Sequence, residues 1–391
     1  MLDLILKKST IPEVVVLLLL FFFFKKIFIV FFLSFLAYLF YLKWSLSKLP
    51  KSKAVTSSLM TSAFYSLQSD PMFTFGKCRI PSISSDQILV KVKAAAINPI
   101  DYLFIGGMIP FYRWFIDHHG IGFDFSGVVV DIGANVKRFK VGDEIFGRDR
   151  DGGIQEYTFC YEKDAVLKPK SISFAEAAAL PLAGLTSLQA IQWWGPIEGK
   201  VILVIGASGG TGHFGVQQAK YLKAKTIVGV CSSKNSEFVR GLGADIVLEY
   251  DKPNYLNEIG DLRFDLIFDT VTSPTTKNQE EIYRKYLKPS GKYVAINGAG
   301  GDSTKGMIAT NCKMLSFIER TDYHFHMLDY TQYKDLELLA KMAEEKKLVP
   351  TLNEFDFDKK GVISAFDLLL SRRTRGKIVI KIENDVDKKK Q

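Results

Sequence analysis

Gly199-Lys-Val-Ile-Leu-Val-Ile-Gly-Ala-Ser-Gly-Gly-Thr-Gly-His-Phe-Gly-Val-Gln-Gln-Ala-Lys220 is the stretch that decides the reading of this chain. Val201 to Ile205 is short, wholly apolar and rich in β-branched residues, the pattern of a strand buried on both faces of a parallel sheet. A glycine-rich turn follows, and Val216, Ala219, Tyr221 and Leu222 then take up helical spacing. Gly210, Gly212 and Gly215 satisfy G-x-G-x-x-G. Such a turn lets backbone approach a diphosphate, whose charge the free amides and dipole of the helix N-terminus stabilise. An ordinary strand–turn–helix corner can carry the same spacing. What separates this one is a second apolar strand, Thr226 to Cys231, at the distance the dinucleotide motif requires.

The end of that second strand selects the nucleotide. An Asp or Glu there would receive the ribose hydroxyls of NAD, but the chain reads Cys231-Ser-Ser-Lys-Asn235. Hydroxyls and an ammonium suit a 2′-phosphate, so the expected cofactor is NADPH, with Ser232 and Lys234 on the phosphate.

The 391 residues hold about two domains and an appendage. The net charge of +9 suggests a nucleic-acid partner only until it is located. Residues 1–53 carry eight lysines against Asp3 and Glu13, so six of the nine charges lie there and three in the rest. No interleaved basic and aromatic pattern marks a nucleic-acid surface. Val14 to Phe24 and Ile27 to Leu42 are apolar runs separated by Lys25-Lys26. The second run, framed by lysines and Trp44, is read as one transmembrane helix. A signal peptide would need a shorter apolar region and small residues at a cut site. A presequence would need arginine, and none precedes Arg79. This makes the protein a single-pass membrane protein whose folded part faces cytosol or an organelle matrix, the endoplasmic reticulum and mitochondrion being the candidate membranes.

From Met60 the chain shows short apolar runs punctuated by Gly and Gly-Asp, as in Gly122-Phe-Asp-Phe-Ser-Gly-Val-Val-Val130 and Val141-Gly-Asp-Glu-Ile-Phe-Gly147, which suggests a β-rich, barrel-like unit. Ala175 to Ala190 reads as helix. Strands at Ile246–Leu248, Phe264–Asp269 and Lys292–Asn297 alternate with helical segments and argue for a doubly wound parallel sheet. Leu336 to Lys346 is an amphipathic helix and Gly376 to Ile382 a last strand. Cys78, Cys160, Cys231 and Cys312 are far apart with no C-x-x-C, so a structural zinc site is not expected.

Asn98-Pro-Ile-Asp101, Gly122-x-Asp-x-x-Gly127, Leu180-Pro-Leu-Ala-Gly-Leu-Thr186, Ser208-Gly-Gly-Thr-Gly212 and Leu242-Gly-Ala-Asp245 occur in this order. With them the chain, over roughly residues 60–383, resembles the zinc-independent medium-chain dehydrogenase/reductases. It is similar to the quinone oxidoreductases, including the zeta-crystallin-like, chloroplast-envelope and reticulon-interacting types. The resemblance implies a GroES-like β-barrel catalytic domain in two segments, 54–185 and 320–383, around a Rossmann domain at 186–319. Residues 1–53 are then anchor and tether, and 384–391 a charged tail. It implies that Asn98 approaches the nicotinamide and Thr186 the cofactor near the cleft. Ser208, Gly209, Gly210, Thr211 and Gly212 would hold the diphosphate, and Tyr250 with Lys234 the 2′-phosphate. Gly298 would lie along the nicotinamide, and Lys377 near the cofactor. Metal ligands are not expected, since zinc-dependent relatives have Cys within the segment Asn98–Asp101 and Gly-His-Glu at Gly122-Phe-Asp124. Many soluble quinone reductases have Tyr where this chain has Leu103, with Tyr102 adjacent.

The implied reaction is hydride transfer from NADPH to a lipophilic quinone or α,β-unsaturated carbonyl, with Asn98, Tyr102 or water serving the oxyanion. Two other readings are an enoyl-thioester reductase and a non-catalytic, NADPH-binding membrane scaffold. A homodimer is the implied assembly. His118-His119 and the aromatics Phe111, Tyr112, Trp114 and Phe115 fall near the expected cleft. His213 either touches phosphate or starts the helix at the surface. His324 and His326 read as packing or rim residues, and Asp124 and Asp143 as turn braces.

Overall fold

Apolar, β-branched runs in the second half of the chain build a parallel sheet, and the alternating runs on either side of them build a mixed, mostly antiparallel one. The computed structural model describes residues 59–65, 73–101, 120–149, 152–271, 279–296, 322–326, 328–329 and 333–382. All belong to one of the chain's two compact units, that of Ser52–Met108 and His118–Gln391.

Strands β1 (Leu59–Tyr65) and β2 (Phe73–Arg79) form an antiparallel pair. Strand β3 (Gln87–Ile97) pairs antiparallel with β4 (Asp124–Ile132), and β4 with β5 (Glu144–Arg148). Strand β6 (Tyr157–Tyr161) joins β3, and β7 (Ala165–Leu167) joins β5. The expected long helix is two helices, Phe174–Ala179 and Pro181–Gln192. The break falls where Pro181 has no N–H to continue the ladder and takes the first helical position instead. Ser173 and Glu176 cap the first helix reciprocally.

Strands β8 (Val201–Ile205), β9 (Thr226–Cys231), β10 (Ile246–Glu249), β11 (Phe264–Asp269), β12 (Leu287–Ala295) and β13 (Tyr323–Phe325) are all parallel, in the order β10-β9-β8-β11-β12-β13. This is the Rossmann order, with the chain reversing direction of travel between β8 and β11, where the crevice for a ligand opens. Every residue of β8 is buried. Ile202 and Val204 pack with Val216 and Ala219 of helix Gly212–Tyr221 on one face, while Leu203 and Ile205 pack with Ile259 and Tyr283 on the other. Successive side chains point to opposite faces, so a sheet covered on both sides needs an unbroken apolar run.

Helix Tyr333–Glu344 precedes β14 (Leu352–Asp356), helix Lys359–Leu370 and β15 (Lys377–Lys381). Strand β15 lies between β14 and β3. The mixed sheet is therefore closed by residues about 280 positions apart, Ile378 opposite Ile97. Its core holds Ile88, Val90, Phe125 and Ile145 against Val362, Phe366, Ile378 and Ile380.

The transmembrane expectation is corrected. Among the described residues no helix is long and apolar enough to cross a membrane. The 12-residue helices Pro181–Gln192, Tyr333–Glu344 and Lys359–Leu370 reach about 18 Å at 1.5 Å per residue, against a hydrocarbon core of about 30 Å. Residues 1–53, on which the anchor rested, lie outside the described residues. The transmembrane helix is dropped from the fold class, and with it the single-pass topology, its cytosol-or-matrix facing and the membrane as partner.

Candidate active site

The turn after β8 is shaped by contacts that leave no room for a Cβ at Gly206 and Gly212. Gly206 has φ +78°, a backbone that L residues avoid, and Thr270 Oγ1 donates to the Ile205 carbonyl at 2.7 Å beside it. A Cβ on Gly212 would lie 2.1 Å from the Gly206 carbonyl oxygen, so the turn folds back on itself there. Gly215 sits 3.1 Å from Phe268 by the same measure, drawing the helix close to β11. Ser208, Gly209, Gly210, Thr211 and Gly212 form one backbone surface running into the N-terminus of helix Gly212–Tyr221, where an anion is stabilised. The Gly376 N–H donates to the Ser208 carbonyl at 3.0 Å and brings the start of β15 onto this surface.

At the tip of the neighbouring strand β9, Ser232 is buried and Lys234 is exposed. The Tyr250 N–H donates to the Cys231 carbonyl at 3.0 Å, which carries the exposed Tyr250 ring to the same strand end. Asn235, which sequence reasoning passed over, donates from Nδ2 to Ser208 Oγ at 3.2 Å and to Ser232 Oγ at 3.3 Å. It ties the glycine turn to the tip of β9. Asp251 is taken up by Ser233, accepting from its N–H and its hydroxyl at 2.8 Å each, and those bonds hold its carboxyl below the usual range.

Next to the glycine turn, reached through Lys377, is a buried polar cluster set by strand register, called the cleft floor below. Ala96 of β3 faces Asp124 of β4, and Ile97 faces Ile378 of β15, so Asn98, Asp124 and Lys377 converge. Asn98 Nδ2 donates to Asp124 Oδ2 at 2.9 Å, and the Asn98 N–H donates to Asp101 Oδ2 at 2.6 Å. Lys377 Nζ donates to Asn98 Oδ1 and to the Ile97 carbonyl at 3.3 Å, and lies 3.8 Å from Asp124. The Leu182 N–H, at the start of the helix that carries Thr186, donates to the other Asp124 oxygen at 3.0 Å. Burial pushes Asp124 up to about 6 and Asp101 to about 7, against the pull of the Lys377 ammonium. Burial lowers Lys377 in turn. Asp101 Oδ1 is buried without a hydrogen-bond partner, the state expected of a carboxyl that holds a proton.

Asp124 is thus a member of this cluster rather than a turn brace; Asp143 does brace its turn, accepting from the Lys140 N–H at 2.9 Å. His213 fits neither alternative left open by the sequence. It is fully buried under the glycine turn, with Nδ1 3.0 Å from the Gly209 carbonyl, and burial lowers it to about 4. Thr186 is buried, its hydroxyl donating to the Leu182 carbonyl at 2.7 Å. His324 and His326 are buried beside Trp193. Tyr102, Leu103, His118, His119, Gly298, Cys312 and the aromatics at 111–115 lie outside the described residues.

Residues 84–185 match the family described as alcohol dehydrogenase GroES-like domain, and residues 242–380 that described as zinc-binding dehydrogenase. The 2-methylene-furan-3-one reductase of Solanum lycopersicum is 34% identical over 312 residues, 77% of this chain and 73% of that one. The chain belongs to the medium-chain dehydrogenase/reductases. Within them it falls in the zinc-independent quinone-oxidoreductase and alkenal-reductase family, and it is an NAD(P)H-dependent oxidoreductase. The chloroplastic NADPH-dependent alkenal/one oxidoreductase of Arabidopsis thaliana is 31% identical over 319 residues, covering 77% of this chain and 73% of that one. The structure of the quinone oxidoreductase from Coxiella burnetii superposes with a TM-score of 0.71 at 26% identity, covering 83% of this chain and all of that one.

The donor set of the floor does not fit a catalytic zinc. Asn98 and Asp124 are occupied by each other and by the Lys377 ammonium, a cation already placed where a dication would have to sit. Among the described residues no group of three or more His, Cys, Asp or Glu is arranged to hold a metal. A nicotinamide nucleotide does fit. The glycine-rich turn at Gly206–Gly212 allows backbone contact with a diphosphate, and Lys234 is an exposed cation just beyond the tip of the neighbouring strand β9.

Proposed function

We propose that this enzyme is an NADPH-dependent reductase of lipophilic quinones and α,β-unsaturated carbonyls. The single observation that carries the choice of NADPH is the tip of β9. Where an acid would receive the NAD ribose, the chain presents buried Ser232, exposed Lys234 and the Tyr250 ring brought alongside by its bond to Cys231. The acids on that side are engaged: Asp251 is held by Ser233, and Glu249, opposite Cys231, is paired with Lys252. The acceptor class is supported by the relatives, named for a furanone and for alkenals and enones, and by the hydrogen-bond donors of Asn98 and Lys377 in the buried polar cluster.

When bound, NADPH supplies the hydride. The chain's own residues orient the reactants and manage the charge that appears on the acceptor oxygen. Asn98 Nδ2 gives one hydrogen to Asp124 and has a second for a ligand, so its amide is both fixed and able to donate. Lys377 holds that amide through Oδ1 and places a positive charge next to it, which stabilises negative charge developing above the floor. Tyr102, directly after Asp101, is the second donor we assign. Thr186, Ser208–Gly212 and Gly298 complete the cofactor groove in this reading. The test is kcat/KM for NADPH and NADH with a 2-alkenal, in the wild type and in Lys234→Glu. A loss of NADPH preference of about 10- to 100-fold is expected from removing a charge-assisted phosphate contact. An unchanged preference overturns the assignment.

A further inference from the structure

Strand β13 ends the parallel sheet, and its His324 and the following His326 are two residues apart, so their side chains leave the same face. Both are buried, 8% and 4% exposed. His324 Nε2 and both ring nitrogens of His326 are buried without a hydrogen-bond partner. An imidazole has a nitrogen-bound hydrogen in every protonation state, so His326 leaves at least one donor unmet. One such group invites a local explanation. Two on the same face of one strand end, with ring centres 5.8 Å apart, point to a shared missing partner.

We propose that His324 and His326 are a two-imidazole ligand pair for a first-row transition-metal dication, Zn2+ or Cu2+, at the edge of the Rossmann sheet beneath Trp193. Metal–nitrogen bonds of about 2.0–2.1 Å place two imidazoles on one ion with ring centres roughly 5–6.5 Å apart, the range in which this pair falls. Neutral imidazole is a good ligand for both metals. Trp193 stacks on His324, centroids 3.8 Å apart and planes 10° from parallel, and meets His326 edge-on at 6.1 Å. Stacking fixes the His324 ring but covers only its face, while a metal binds in the ring plane. Trp193 itself is 52% exposed, so water can reach the ion's remaining positions when it moves. None of the cleft-floor residues takes part, so the site is separate from hydride transfer.

The experiment uses tag-free full-length protein in a His118→Ala/His119→Ala background, which leaves His213, His324 and His326 as its histidines. Zn2+ binding is measured by equilibrium dialysis, and Cu2+ coordination by electron paramagnetic resonance. One saturable equivalent per chain, an affinity at least about tenfold weaker in His326→Ala and in His324→Ala, and coupling of Cu2+ to two imidazole nitrogens are expected. No saturable binding, or binding undiminished in His326→Ala, overturns the proposal. If either variant fails to fold, the Cu2+ spectrum of the background protein decides: two nitrogens support the site, and one or none overturns it.

Discussion

Replacing Lys377 by Met keeps most of the side-chain stem and removes the ammonium that two buried carboxyl groups face. Lys377 is 3% exposed and its Nζ lies 3.8 Å from Asp124, itself 0% exposed. At that separation and an effective dielectric of about 20, the attraction is roughly 4 kcal/mol when both are ionised. This agrees with the 3–5 kcal/mol cost of removing one partner from a buried pair. The carboxyl groups have an escape, because they can take up protons. With Asp124 at about 6 and Asp101 at about 7, both are charged at pH 8 and largely neutral at pH 5. Losing the ammonium raises both further. Lys377→Met should therefore cost about 3–5 kcal/mol at pH 8 and about 1 kcal/mol at pH 5, where only hydrogen bonds are lost. Urea unfolding at the two pH values measures this, and Lys377→Met/Asp124→Asn should recover most of the loss at pH 8. A cost under about 1 kcal/mol at pH 8, or one equal at both pH values, would refute the reasoning.

Asp101 has a folded value above its unfolded one, so the native state binds the extra proton between about pH 4 and 7 and stability falls as pH rises through that window. Asp101→Asn should flatten this slope and be the more stable protein at pH 8 by about 1–3 kcal/mol, read from the same unfolding curves. Gly212→Ala sets a Cβ 2.1 Å from the Gly206 carbonyl, backbone against backbone, so the turn must open. NADPH binding, followed by the nucleotide's fluorescence, should weaken at least tenfold while the far-ultraviolet dichroism changes little. Asn235→Ala removes the link between Ser208 and Ser232 and should raise KM for NADPH more than for NADH.

Much of this was legible in the residues. Val201–Ile205 and Thr226–Cys231 were readable as strands to the residue, because a two-sided buried strand must be apolar throughout and these runs end at Gly206 and Ser232. The split at Leu180-Pro181 was visible in the proline but was overridden by the run of alanines before it. The cleft floor was less accessible. Lys377 and Asp124 sit in motifs that could be quoted, yet their meeting depends on β15 returning to β3 across about 280 residues, which no local pattern encodes. Asp124, two residues after Gly122, looked like a turn brace for that reason. His213 read as a phosphate contact or a surface helix start, both of which need an open position, but it lies buried under the glycine turn. The apolar N-terminal runs suggested a membrane span from composition alone, and no described helix supplies one.

The most direct test follows NADPH oxidation by the wild-type protein with a long-chain quinone, a 2-alkenal and a short enoyl thioester, beside Lys234→Glu. The account predicts oxidation that depends on the quinone or alkenal, exceeds that with the thioester and falls in the variant. Tight NADPH binding without oxidation by the quinone or the alkenal, or turnover confined to the thioester, would contradict it.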